Sequence, residues 1–129
     1  MTCREQASAI YKLCVASAKK KQTLRYGEVL DALGYPKNVP GHVIRYGLEL
    51  LLIACAHLGL PILASLVVNA STGSPSPPPP GKSWDDEINK SFAHDNWPPV
   101  DEIDWDHFWR HRRELSAKYG TPGYWNNER

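Results

Sequence analysis

The feature that most constrains this chain is an apolar helix near its middle. Residues 42–58 have a helical pattern with apolar side chains on most sides, including an unbroken apolar run at residues 50–56. Gly59 follows, a residue suited to ending a helix. Because such a helix must be covered around most of its circumference, we predict that the rest of the 129-residue chain packs around it as one globular domain.

Two helices are predicted before the central one. Residues 3–19 carry apolar side chains at three- and four-residue spacing. Residues 26–33 predict a two-turn helix that ends at Gly34, after a short extended segment at residues 23–25. A turn at residues 35–41 leads into the central helix, and this order is typical of a helix-turn-helix unit.

The chain changes character after the central helix. Residues 62–68, with β-branched residues near their end, predict a short strand. Residues 70–82 form a connector rich in Pro, Ser and Gly. Ser83 is then expected to cap a helix over residues 84–94, and a last helix is predicted over residues 104–119.

The last helix carries large side chains on one face. Left in water, they would form an unusually large apolar patch for a monomer. We therefore predict that this face packs on the body of the protein, with a partner or a second subunit as the alternative. Its members are Trp105, Phe108, Trp109, Arg112, Leu115 and Tyr119.

These elements together predict an α+β, mostly helical fold. Its core, residues 1–69, is a helix-turn-helix or winged-helix-like unit with a short strand or small sheet. The connector at residues 70–82 leads to residues 83–120, an acidic segment with two C-terminal helices that pack on the core. Residues 121–129 form a tail.

Charge is distributed unevenly, although the formal net charge is only +1. Residues 1–50 carry eight basic and four acidic side chains, a net +4, whereas residues 83–109 carry eight acids and one lysine, a net −7. Such asymmetry indicates distinct faces of opposite sign.

The sequence favours a cytoplasmic protein that does not enter a membrane. Cys14 and Cys55 fall in apolar helical patterns, and the odd total of three cysteines argues for buried thiols in a reducing compartment. No secretory signal precedes residue 20, and the apolar run at residues 50–56 is too short to cross a bilayer.

No catalytic constellation is found, and we predict a non-catalytic protein without metal or cofactor. The motifs of serine hydrolases and of phosphate-binding loops are missing, and nothing beside Cys55 would lower its pKa. His107 and His111 share a helical face, but the pattern supplies no further ligands, and three neighbouring arginines would repel a cation.

One motif is more informative. Residues 23–36 read T-L-R-Y-G-E-V-L-D-A-L-G-Y-P, and the central helix is followed by Gly59-Leu60-Pro61-Ile62 and Leu66-Val67-Val68-Asn69. This order resembles the DNA-binding domain of O6-alkylguanine-DNA alkyltransferases and alkyltransferase-like proteins. The resemblance implies a winged-helix-like fold in which Tyr26 contacts DNA. Ala64 stands where that family has its acceptor cysteine, so alkyl transfer is not implied.

Residues 23–74 are also similar to a group of uncharacterised bacterial and phage proteins. Those proteins share the pattern Y-G-E-L…L-G…G-L-P-x-L-x-x-L-V-V-N-x-x-T-G-x-P, which this chain matches through Leu66-Val67-Val68-Asn69-Ala70-Ser71-Thr72-Gly73-Ser74-Pro75. Shared motifs of this kind indicate fold more strongly than function.

Two functional hypotheses follow. The first is a non-catalytic, winged-helix-like module that binds nucleic acid through basic and polar groups near the start of the central helix. Its candidate residues are Arg25, Tyr26, Lys37, Asn38, His42 and Arg45.

The second hypothesis is a small phage or mobile-element protein that inhibits a host protein. An acidic surface can occupy a cationic groove made for nucleic acid, and tryptophan supplies anchors. The candidate residues are Trp84, Asp85, Asp86, Glu87, Asp95 and Trp97. The identity of the target, and the choice between monomer and homodimer, stay open at this point.

Overall fold

A computed structural model describes residues 1–68, 83–121 and 123 of the chain. These residues form six helices, two very short strands and three 3-10 turns, so the mostly helical α+β fold is confirmed. The helices and strands are α1 (Cys3–Lys19), β1 (Leu24–Arg25), α2 (Tyr26–Ala32), α3 (Arg45–Leu58), β2 (Val67–Val68), α4 (Trp84–Ala93), α5 (Trp105–Arg110) and α6 (Arg112–Tyr119). The 3-10 turns are Gly41–Ile44, Leu63–Leu66 and Val100–Glu102.

The first helix begins at a reciprocal cap. The Thr2 hydroxyl accepts a hydrogen bond from the Glu5 amide at 3.1 Å, and the Glu5 carboxylate accepts one from the Thr2 amide at 3.0 Å. These hydrogen bonds from Thr2 lower the pKa of Glu5. The cap and the apolar face at Ala7, Ile10 and Cys14 explain why the sequence pattern located this helix correctly.

Helix α3 is the centre of the protein, as predicted. It contacts α1, α5, α6 and the turn Leu63–Leu66, and its residues Gly47 and 49–55 are buried. Gly59 ends it in the left-handed conformation, with φ of 70°. Its predicted first turn, from His42, is instead the 3-10 turn Gly41–Ile44.

The predicted strand over residues 62–68 is wrong for most of its length. Only Val67 and Val68 are extended, and they pair in parallel with Leu24 and Arg25. Residues 63–66 form a 3-10 turn because the Ser65 amide and hydroxyl both donate to the Ile62 carbonyl, at 3.1 and 2.6 Å.

The small sheet does not by itself test the expectation of a winged-helix fold. Its two strands are parallel, and no antiparallel hairpin occurs in residues 1–68 or 83–121. The segment after β2, where a wing would lie, belongs to the predicted connector at residues 70–82, which lies outside the described residues.

The C-terminal helix is divided in two. His111, with φ of −106° and ψ of 17°, separates α5 from α6, so that α5 packs against both α1 and α3 while α6 packs on α3. Phe108 and Leu115 are buried in the core. The remaining aromatic members of the predicted stripe, Trp105, Trp109 and Tyr119, are half-buried and pack against that core.

Two smaller expectations need correction. The side chain of Ser83 makes no capping hydrogen bond to α4, which begins at Trp84 without it. The predicted tail is anchored at its start, because Thr121 bonds to Ser116 and the Gly123 amide donates to the buried Glu49 carboxylate at 3.0 Å. The rest of the tail lies outside the described residues.

In the part of the chain that the structure describes, no helix combines the length and apolar character needed to cross a membrane.

Packing of α5 on the body gives a direct prediction. Phe108 is 3% exposed, so Phe108→Ala should lower the free energy of unfolding by about 3–5 kcal/mol in chemical denaturation. Trp109→Ala should lower the free energy of unfolding by less, because Trp109 is only half-buried. Part of its ring is covered by the Arg112 guanidinium rather than by the core. If Phe108→Ala instead converts a dimer into an equally stable monomer, the stripe is a subunit interface.

Candidate nucleic-acid interface

The segment between α2 and α3 is a tight double turn. Gly34, with φ of 83°, lets the chain leave α2, and the Tyr35 amide then donates to the Leu30 carbonyl. Two further turns follow, closed by hydrogen bonds from Val39 to Pro36 and from Val43 to Pro40. Residues 35–44 therefore form a folded connection with its own hydrogen bonds.

This double turn is fastened to α1 by a buried side chain. The Gln6 amide nitrogen donates to the Tyr35 hydroxyl at 2.7 Å and to the Val43 carbonyl at 3.1 Å, and Gln6 is only 5% exposed. Buried polar groups of this kind are costly unless bonded, so the contact holds the turn in one position. Gln6 could not be predicted from the sequence, because its position on the buried face of α1 gives no signal of its partners.

The residues predicted to bind nucleic acid lie mainly on the surface. Lys37 and Asn38 are exposed on the double turn, and His42 is exposed on the 3-10 turn. Arg45 is exposed in the first turn of α3, with its guanidinium 5.0 Å from the centre of the Tyr46 ring. These four side chains come from nine consecutive positions along one fixed segment.

Arg25 and Tyr26 stand apart from the other four. Arg25 is exposed where β1 meets α2, and its amide donates to the Glu28 carboxylate at 3.1 Å. Tyr26 is half-buried and packs against the core. Helix α2 is about 10 Å long, so it separates these two residues from the double turn. The predicted set therefore has two parts: the four residues within positions 37–45, here called the cluster of four, and the pair Arg25 and Tyr26 at the other end of α2.

The segment that carries the cluster of four favours an anion, because the charged side chains of residues 32–48 are all basic. No acidic residue occurs between Asp31 and Glu49, and Glu49 is buried. Among the described residues, neither Lys37 nor His42 forms an ion pair.

The predicted acidic surface is divided as well. Asp85, Asp86 and Asp95 are exposed, whereas Trp84 and Trp97 are half-buried against the core. Glu87 does not belong to any exposed surface, since it is 3% exposed. Its carboxylate accepts a hydrogen bond from the Ile62 amide at 3.1 Å and pairs with Lys90 at 3.3 Å. Glu87 therefore joins α4 to the segment after α3.

An acidic groove lies elsewhere on the surface. It has a volume of about 650 Å³ and is bordered by the start of α1 and by the segment that leads into α5. Arg4 is its one basic side chain and pairs with Asp106. Its acidic side chains are Glu5, Asp101, Glu102, Asp104 and Asp106.

The thiols in the core are poorly suited to nucleophilic chemistry. Cys14 and Cys55 are both fully buried, and burial raises the pKa of both thiols, that of Cys55 to about 12. Burial likewise raises the pKa of Tyr11 to about 12, and the Tyr11 hydroxyl donates to the Pro98 carbonyl. These groups therefore stay protonated at neutral pH. A nucleophilic cysteine, by contrast, must be a thiolate.

Comparison with known proteins adds no relative. The chain matches no protein-family model, no curated protein and no solved structure. The resemblance to alkyltransferase-like domains therefore depends on the sequence motifs alone.

Adjacent acids on α4 provide a test of the corrected acidic surface. Glu87→Ala should lower the free energy of unfolding by about 1–3 kcal/mol, because it leaves the buried Ile62 amide without an acceptor. Asp86→Ala, the matched exposed control, should change stability by no more than about 0.5 kcal/mol. Equal effects of the two substitutions in urea denaturation would contradict this assignment.

Proposed function

We propose that the protein is a non-catalytic nucleic-acid-binding module that contacts phosphate groups through the double turn and the start of α3. The observation that carries the proposal is the cluster of exposed Lys37, Asn38, His42 and Arg45 on a segment fixed to α1. Lysine and arginine supply charge to phosphates, and the asparagine amide supplies a hydrogen-bond donor.

The burial of α3 limits which part of this helix can contact a nucleic acid. A recognition helix usually lies in the major groove, but here Gly47 and residues 49–55 are covered by other elements. Only the first turn of α3 and the turn before it can approach a nucleic acid from this side. We therefore propose that the contact is end-on and made mainly to the backbone, with little dependence on base sequence.

The resemblance to alkyltransferase-like proteins supports the same surface. The Y-G-E-V motif forms the start of α2, and the L-G-x-P sequence ends α2 and begins the double turn. Arg25, on the β1 side of α2, would extend the contact along the backbone by about the length of that helix.

We propose that the protein is a cytoplasmic monomer. Cys14 and Cys55 are free buried thiols, which suits the reducing cytoplasm. Met1 and Leu58 are the only exposed large apolar side chains within the described residues, and this small apolar surface favours a monomer over a homodimer.

The alternative proposal is inhibition of a host protein by an acidic surface, as in a phage or mobile-element protein. The exposed Asp85, Asp86 and Asp95, together with the acidic groove, favour it. Trp84 and Trp97 offer only part of their rings to a partner, because they already pack on the core. On this alternative, Asp85→Asn/Asp86→Asn would release a captured partner and leave nucleic-acid binding unchanged.

Fluorescence anisotropy with a labelled duplex tests the first proposal. We expect binding that weakens with added salt, because phosphate contacts release counterions. The double variant Lys37→Ala/Arg45→Ala should weaken binding across duplexes of different sequence and reduce the steepness of the salt dependence by about 2.

Lys118→Ala on α6 is the control for loss of one positive charge away from the interface, and it is compared with Lys37→Ala alone. Lys118 is next to Tyr119, which bonds to His57 in the last turn of α3, and α3 is about 20 Å long. The control therefore removes a charge at the far end of the central helix and should leave binding unchanged. Wild-type protein that shows no salt-dependent binding at micromolar concentration would refute the proposal.

A further inference from the structure

Three imidazole rings meet where the end of α3 faces the junction of α5 and α6. The ring centres of His107 and His111 are 4.7 Å apart, and those of His57 and His107 are 6.1 Å apart. His57 is held in place, because its Nδ1 is 3.0 Å from the Tyr119 hydroxyl and its ring packs on the edge of Phe108. The group is independent of the proposed nucleic-acid interface.

The spacing of His107 and His111 matches that of two ligands on one metal ion. A ligating imidazole nitrogen lies about 2.0–2.1 Å from a transition metal, which puts each ring centre about 3.2 Å from it. Two rings on adjacent square-planar or tetrahedral positions then have centres about 4.5–5.2 Å apart. We infer that His107 and His111 form a two-imidazole site for a divalent transition-metal ion such as Ni²⁺ or Cu²⁺.

The helix junction keeps the two rings on one side. His111 ends α5 rather than continuing it, yet its amide still donates to the His107 carbonyl at 3.1 Å. The two residues thus keep the four-residue helical spacing that brings side chains together. The Glu114 carboxylate lies 3.9 Å from His111 Nδ1, where its negative charge can offset part of the charge of a metal.

Two of the three arginines near this site make contacts with other groups. The Arg112 guanidinium lies 3.9 Å from the centre of the Trp109 ring and donates to the Trp109 carbonyl at 2.8 Å. The Arg110 Nε donates to the Asp106 carbonyl at 3.4 Å, one turn back along α5. These contacts hold two of the three neighbouring arginine side chains against Trp109 and the backbone of α5.

The site is limited to two protein ligands. No three His, Cys, Asp or Glu side chains converge suitably for a metal ion anywhere in residues 1–68 and 83–121. The His57 ring lies beyond the expected ligand spacing and is bonded to Tyr119. Water would complete the coordination, and affinity should follow the order in which Cu²⁺ binds more tightly than Ni²⁺.

Isothermal titration of the tag-free full chain with Ni²⁺ alone tests the site. We expect one ion per chain, and His107→Gln or His111→Gln should weaken binding by about tenfold or more, because the second imidazole then no longer binds intramolecularly. His57→Gln and His42→Gln are the controls and should keep the wild-type affinity. Absence of stoichiometric binding, or an equal loss in His57→Gln, would overturn the inference.

A second measurement uses only the wild-type protein. Cu²⁺ is paramagnetic in every coordination geometry and broadens nearby amide signals in NMR spectra, so the broadening should be confined to residues around His107 and His111. Broadening centred on another part of the chain, such as Cys3, would overturn the inference even if one ion binds.

Discussion

The close packing of α1 against α3 at Gly47 is the contact on which the rest of the structure depends. A Cβ atom at this position would lie 2.6 Å from the Gln6 Cβ and 3.3 Å from the Ala7 amide nitrogen. Only glycine lets the two helices approach so closely. The same approach brings the Gln6 amide within reach of Tyr35 and Val43, so the position of the candidate interface is a consequence of helix packing.

A second buried contact on α3 fixes the C-terminal part of the chain. Glu49, two residues after Gly47, is 2% exposed, and one carboxylate oxygen accepts hydrogen bonds from Ser116, Thr121 and Gly123 at 2.8–3.1 Å. Burying a carboxylate is costly unless it is well bonded, and these three donors offset that cost. Helix α3 thus determines the positions of both the double turn and the end of α6.

The parts of the fold that sequence predicted are those governed by local pattern. Residues 3–19 and 26–33 show helical spacing, and Gly34 and Gly59 mark helix ends that the structure reproduces. For the central helix, the apolar run alone was sufficient to predict burial on most sides.

The parts that sequence did not predict depend on contacts between distant residues. The turn Leu63–Leu66 is buried as a strand would be, and its 3-10 geometry comes from the Ser65 side chain. Glu49 and Glu87 look like surface acids until their partners, 67 to 74 and 25 positions away, are known. The candidate interface could be predicted as far as Lys37, Asn38, His42 and Arg45, because they are neighbours in sequence.

The proposed interface brings nucleic acid against the double turn and the start of α3. Titration of a short duplex into the ¹⁵N-labelled protein, followed by amide chemical shifts, tests it most directly. We expect shifts concentrated between Tyr35 and Tyr46, with the amides of α6 unaffected. Shifts confined to the acidic residues 85–106, or no shifts at saturating duplex, would contradict it.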